Sequence, residues 1–124
     1  MMNTSKIGRV EDEKYIYLTT IGRKTGRTHT VELWFAIAGG KIYLSHEGHY
    51  TDWMKNTLQN SLVEYRIGGI HFKGRARIVA GGDVFQIGKS ALYIKYYGHA
   101  SKEIIDDWFS MSTVMEITPQ VEVR

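Results

Sequence analysis

Two glycine pairs restrict the topology open to this chain. Gly39-Gly40 and Gly68-Gly69 each separate two strand-like runs. A two-residue Gly-Gly connection is a tight hairpin signal, because both central residues then need positive φ. Two such hairpins commit the chain to antiparallel pairing. Glycine supplies most of the remaining punctuation too. There are 13 glycines, a third pair at Gly81-Gly82, and one proline, Pro119.

Between these breaks, β-branched and aromatic residues mark six strands at 15–20, 28–37, 41–46, 62–67, 70–79 and 113–118, the last ended by Pro119. In the second, His29, Val31, Leu33, Phe35 and Ile37 share one face, and Thr30, Glu32, Trp34 and Ala36 the other. In the fifth, Ile70, Phe72, Ala76 and Ile78 oppose a basic row of His71, Lys73, Arg75 and Arg77. Helices fill the gaps. Thr51 caps a short one over 52–59, with Asp52 in its first turn. Val84, Ile87, Ala91 and Ile94 recur at helical spacing over 84–97. Ser101 caps a third, with Ile104, Ile105, Trp108 and Phe109 on one side. The chain has 124 residues, a single-domain length. Six strands in that length predict a mainly β (α+β) fold: a compact antiparallel barrel with short helices packed outside. Residues 1–14 read as a loose polar lead and 15–124 as the domain.

Composition removes several chemistries. Cysteine is absent, so disulfides, thiolate metal sites and cysteine nucleophiles are excluded, which suits a reducing cytoplasm. No apolar run approaches the roughly 20 residues that span a bilayer. Residues 1–12 lack the apolar centre of a signal peptide. The net charge of +3 is localised. Residues 1–21 and 30–124 are each neutral, so the excess lies in Arg23, Lys24 and Arg27. A second basic stretch holds Arg66, Lys73, Arg75 and Arg77. Localised positive charge means an anionic partner or a solvated face.

The first cluster, Gly22-Arg23-Lys24-Thr25-Gly26-Arg27, is not a P-loop: three residues separate its glycines, and a strand follows rather than a helix. It remains suited to an anion, since glycines turn the backbone sharply and Arg and Lys add charge and donors. His46-Glu47-Gly48-His49 lacks the zinc-protease spacing, and no G-x-S-x-G surrounds any serine, so no metal or serine triad is expected. Trp34 and Trp53 suit either packing or the wall of a flat aromatic ligand. The basic row with Tyr65 and Phe72 nearby leaves a nucleic-acid-binding barrel as an alternative, although Phe72 lies on the opposite face from Lys73.

Leu18-Thr19-Thr20-Ile21-Gly22-Arg23-Lys24-Thr25-Gly26-Arg27, His29-Thr30-Val31 and Leu33-Trp34-Phe35 resemble the opening of deazaflavin-dependent nitroreductase-like proteins, in the FMN-binding split β-barrel superfamily. The similarity continues through Gly39-Gly40-Lys41-Ile42-Tyr43-Leu44-Ser45, Asp52-Trp53-Met54-Lys55-Asn56, Ile67-Gly68-Gly69 and Gly74-Arg75-Ala76-Arg77. It covers about residues 15–80, while 84–118 match in layout alone. The resemblance implies a six-stranded split barrel that holds F420, or alternatively FMN, in a groove. Arg23, Lys24, Thr25 and Gly26 would line the cofactor's phosphate side, with His29 near it. Ser45, Trp53, Lys55 and Asn56 would border the ring or tail; Trp34, from its own reading above, joins them as a candidate cofactor-binding residue. Glu32 stands where the family often has proline. The implied activity is hydride transfer to a small conjugated, quinone-like or nitro substrate by a homodimer; a non-catalytic carrier is the other reading of the same fold. Hydride chemistry belongs to the cofactor, so no catalytic constellation need appear in the chain.

Overall fold

The computed structural model describes residues 10–47, 51–79, 81–98 and 112–123. Among them are seven strands and two helices: β1 (Tyr15–Ile21), β2 (Thr28–Trp34), β3 (Ala36–Ala38), β4 (Lys41–Glu47), α1 (Asp52–Gln59), β5 (Leu62–Ile67), β6 (Ile70–Val79), α2 (Gly82–Tyr97) and β7 (Ser112–Val123). The strands form one sheet in the order β2-β1-β5-β6-β7-β4-β3, with every neighbouring pair antiparallel. Its two edge strands, β2 and β3, are joined through the single residue Phe35. That connection forces the sheet to curl until its edges lie side by side, which makes a split barrel.

Both glycine hairpins form. Gly39 and Gly40 have φ of 58° and 76°, and Gly68 and Gly69 have 57° and 82°. These are the left-handed conformations that a two-residue turn demands.

Two strands depart from the sequence expectation. The run 28–37 breaks at Phe35, which gives seven strands rather than six. The cause is Tyr96 on α2: the Phe35 N–H donates to its hydroxyl at 2.9 Å, and that hydroxyl lies 2.8 Å from the Phe35 carbonyl and 2.7 Å from the Lys14 carbonyl. Phe35's backbone thus leaves the ladder, and Phe35 and Ala36 are both buried in place of strict alternation. β7 runs past Pro119, where a stop was expected. Pro119 lies opposite Gly74, beside a register shift between Lys73 and Gly74. A bulge is where a strand tolerates a residue with no N–H. Gly74 is required there because a Cβ would lie 2.6 Å from the Thr118 carbonyl oxygen.

The barrel interior is one core that includes Leu18, Phe35, Leu44, Ile67 and Ile117, with Trp53 and Met54 contributed by α1. α2 packs on the outside through Leu92 and Tyr93 against Ala36, Tyr43 and Val114. Gly88 permits this approach, since a Cβ there would lie 2.7 Å from Tyr43 Cδ1. Of the expected lead 1–14, residues 10–14 are described and residues 1–9 lie outside the described residues. Val10 is buried in the core, and Lys95 Nζ donates to the Glu13 carbonyl at 2.6 Å. The third expected helix, from Ser101, lies outside the described residues, as do Gly48 and His49. Among the described residues no helix is long and apolar enough to cross a membrane.

Candidate functional site

The basic segment is a closed turn between β1 and β2. Gly22 N–H donates to the Arg27 carbonyl at 2.7 Å, and Gly26 N–H to the Gly22 carbonyl at 2.9 Å. Gly26 sits at φ 74°. Thr25 Oγ1 accepts from Arg27 N–H at 3.2 Å. A Cβ on Gly22 would lie 3.0 Å from both the Arg27 carbonyl oxygen and His29 Nε2, so this glycine lets the turn fold back against β2.

Asn56 lashes the turn to α1. Its Oδ1 accepts from Arg23 N–H at 3.2 Å and Arg23 Nη1 at 2.9 Å, while its Nδ2 donates to Thr20 Oγ1 at 3.1 Å. Asn56 is 3% exposed and Thr20 1%. Asparagine is an indifferent helix former. Here it meets two donors and an acceptor that a better helix former would leave unsatisfied. Arg23 Nη2 reaches Asp52 Oδ1 at 3.3 Å. Among the described residues, the side chains of Lys24 and Arg27 have no ion-pair partner.

The turn, the first half of β2 and the start of α1 enclose a groove of about 610 Å³. Six of the sequence-predicted residues line it: Arg23, Lys24, Thr25, His29, Trp53 and Asn56. Trp53 also belongs to the core, which bears out its packing reading, while part of it lines the groove. Gly26 belongs to the turn but not to the lining, and Lys55 is an exposed residue of α1 outside it. Ser45, on β4, and Trp34 are not brought to the groove. Five residues of extended chain carry Trp34 about 17 Å beyond His29. Its ring stacks on Tyr96, with centroids 4.3 Å apart and planes 4° from parallel. Trp34 thus packs on α2 and lies outside this groove. Glu32 is also absent from the lining: it accepts a hydrogen bond from Tyr17, its cross-strand partner, and that bond raises the Tyr17 phenol's pKa.

Thr30, Val31, Thr51 and Asp52 join the lining without having been picked out as site residues. Thr51 occupies the N-cap position of α1 but makes no cap hydrogen bond. Its buried Oγ1 has no partner among the described residues. No sequence signal distinguishes such a threonine from an ordinary cap. A smaller hollow of about 340 Å³ shares Thr30 and includes Arg66 and His71. The basic row on β6 is largely answered: Lys73 lies 3.7 Å from Glu64, Arg77 Nε donates to Glu116 at 2.9 Å, and Arg75 donates to Ser61. The described residues contain no group of three or more His, Asp or Glu that could hold a metal.

The donors fit a phosphate-bearing group. Lys24, with no ion-pair partner among the described residues, lines the groove beside an oriented arginine, and the Thr51 hydroxyl is a donor in the wall with no partner among the described residues. The chain belongs to the F420H(2)-dependent quinone reductase family, whose model matches residues 1–102. It is an F420-dependent oxidoreductase. No curated protein sequence matches it. Among solved structures, the conserved hypothetical protein Rv2991 from Mycobacterium tuberculosis superposes with a TM-score of 0.82 at 19% identity, covering 98% of this chain and 83% of that one. An F420 reductase superposes with a TM-score of 0.62 at 19% identity, covering 92% of each chain. A FAD-binding protein from Mesorhizobium loti gives 0.71 at 12% identity, covering 98% and 90%. At these identities the likeness is one of fold.

Proposed function

We propose that F420 is held in the 610 Å³ groove, with its phosphate against Arg23, Lys24, Thr25 and His29, and with Trp53 and Asn56 beside its flat portion. The substrate in this reading is a small quinone, with nitro compounds of similar shape as secondary acceptors. One observation carries the assignment: Asn56 holds Arg23 by two hydrogen bonds at the groove wall, where Lys24 is also exposed. An oriented arginine loses little freedom on gripping an anion.

Bound F420H2 supplies the hydride; the chain's residues bind, orient and exclude water. Lys24 and Arg23 offset the anionic charge. Trp53, anchored in the core, gives a rigid apolar wall. We further propose a cytoplasmic homodimer. Ile87 and Ile94 of α2 are 49% and 56% exposed and two helical turns apart, an apolar stripe that suits a second copy. A sizing measurement tests the dimer.

The site assignment is tested by titrating F420 into the wild type and the Arg23→Ala/Lys24→Ala variant. Loss of two charge-assisted contacts weakens binding by roughly 2–5 kcal/mol. Equal affinities would remove the assigned role.

A further inference from the structure

Arg23 has two kinds of partner. Nη1 is held by Asn56, which is neutral and 3% exposed. Nη2 meets Asp52, whose side chain is 87% exposed against 24% for Arg23. The Asp52 contact is single and 3.3 Å long, beyond the roughly 2.7–2.9 Å of a strong charge-assisted bond. An exposed pair of this kind is weak. Asp52 also has somewhere else to point, because it is in the first turn of α1, where unsatisfied N–H groups favour a carboxylate. Among the described residues that line the groove, Asp52 is the one carboxylate.

We infer that Asp52 is a specificity-determining residue, a resident carboxylate that yields Nη2 of Arg23 to an incoming phosphate but stays close enough to penalise its charge. The inference rests on the groove being the phosphate site. Asn56 keeps the guanidinium in place during the exchange, so the exchange involves one exposed side chain and no movement of the turn. The penalty grows with the charge on the phosphate itself, the group that the exchange brings beside Asp52, and not with the carboxylates of the F420 tail, which salt screens beyond about 10 Å. A phosphodiester, as in F420, carries one negative charge at its phosphate. A phosphate monoester, as in FMN, carries close to two above its second pKa of about 6. Asp52 therefore tilts the groove toward the diester.

The experiment is a titration of F420 and FMN into the wild type, Asp52→Asn, Asp52→Glu and Arg23→Ala/Lys24→Ala, at about 0.1 M salt, where charges beyond about 10 Å are screened, and pH 8, with FMN also run as a competitor of F420. Asp52→Asn keeps the size and removes the charge. If an exposed charge is worth a few tenths of a kcal/mol per unit of phosphate charge, F420 tightens about 2-fold and FMN about 4-fold in Asp52→Asn. The preference for F420 narrows accordingly. Asp52→Glu restores it, and added salt shrinks the difference. An F420-to-FMN affinity ratio that is the same in Asp52→Asn as in the wild type would overturn the inference, as would failure of FMN to compete in either. The double variant separates the two levels. Weakened binding there with an unchanged ratio in Asp52→Asn refutes the role of Asp52 alone. Wild-type binding in the double variant refutes the groove assignment beneath it.

Discussion

Replacing Asn56 by leucine removes a buried polar junction while keeping the side chain's heavy-atom count and branching at Cγ. The wild-type amide makes three hydrogen bonds, two accepted from Arg23 and one donated to Thr20. Arg23 is partly exposed and recovers some of its loss from water, whereas Thr20 is 1% exposed and cannot. A stranded buried partner costs about 1–3 kcal/mol, and each lost bond about 1 kcal/mol, giving roughly 2–4 kcal/mol in all. Leucine's better helix propensity returns about 0.5 kcal/mol. The expected net loss is about 1.5–3.5 kcal/mol in urea unfolding, seen as a lower midpoint with an unchanged slope. F420 binding should weaken about 5-fold, because Arg23 must then be ordered by the ligand at a cost near 1 kcal/mol. Thr20→Val supplies the contrast. It strands the Asn56 Nδ2 donor and lowers stability by about 1 kcal/mol, yet both Arg23 bonds persist and F420 affinity holds. Stability of Asn56→Leu within about 0.5 kcal/mol of wild type would refute the junction as an energetic feature.

Two other perturbations probe the frame. Gly74→Ala forces a Cβ to 2.6 Å from the Thr118 carbonyl oxygen and 2.9 Å from Ile117 Cγ2, so overpacking at the bulge should cost about 1–3 kcal/mol in thermal or urea unfolding. Lys95 sits over the Phe35 ring at 3.5 Å, and burial lowers its pKa to about 8 from 10.5. The unfolded chain therefore holds more protons than the folded one between those values, so this group adds stability as pH rises from about 8 and withdraws it as pH falls. Lys95→Met should flatten the stability slope between about pH 7.5 and 9.5, below the range in which Tyr43 and Tyr96, pushed up to about 12 by burial, begin to oppose folding. An identical slope in the variant would show that Lys95 does not titrate there.

The parts of the fold that local chemistry dictates were legible in the chain. Both Gly-Gly hairpins formed, since no other residue takes two successive left-handed conformations so cheaply. Leu62–Ile67, Ile70–Val79 and Asp52–Gln59 have the bounds their patterns predict. The errors came from contacts distant in sequence. The break at Phe35 is imposed by Tyr96, 61 residues away. Pro119 reads locally as a stop, but Gly74 across the sheet supplies the bulge that accommodates it. The site divides the same way. Arg23, Lys24 and Thr25 advertise themselves by charge and glycine spacing, whereas the pairing of Arg23 with Asn56 and Asp52 depends on α1 being folded onto the end of β1. Trp34 illustrates the converse. Its aromatic side chain suited either packing or the wall of a flat ligand, but strand rise carries it away from the groove and α2 provides its stacking partner.

The most direct test of the account is a crystal structure of this chain with F420 bound. The groove assignment predicts the phosphate within hydrogen-bond reach of Arg23 and Lys24, with Asn56 still holding Nη1 and Asp52 turned away from Nη2. A phosphate seated instead against Arg66 and His71 in the smaller hollow, with the Arg23–Asp52 pair intact, would contradict it.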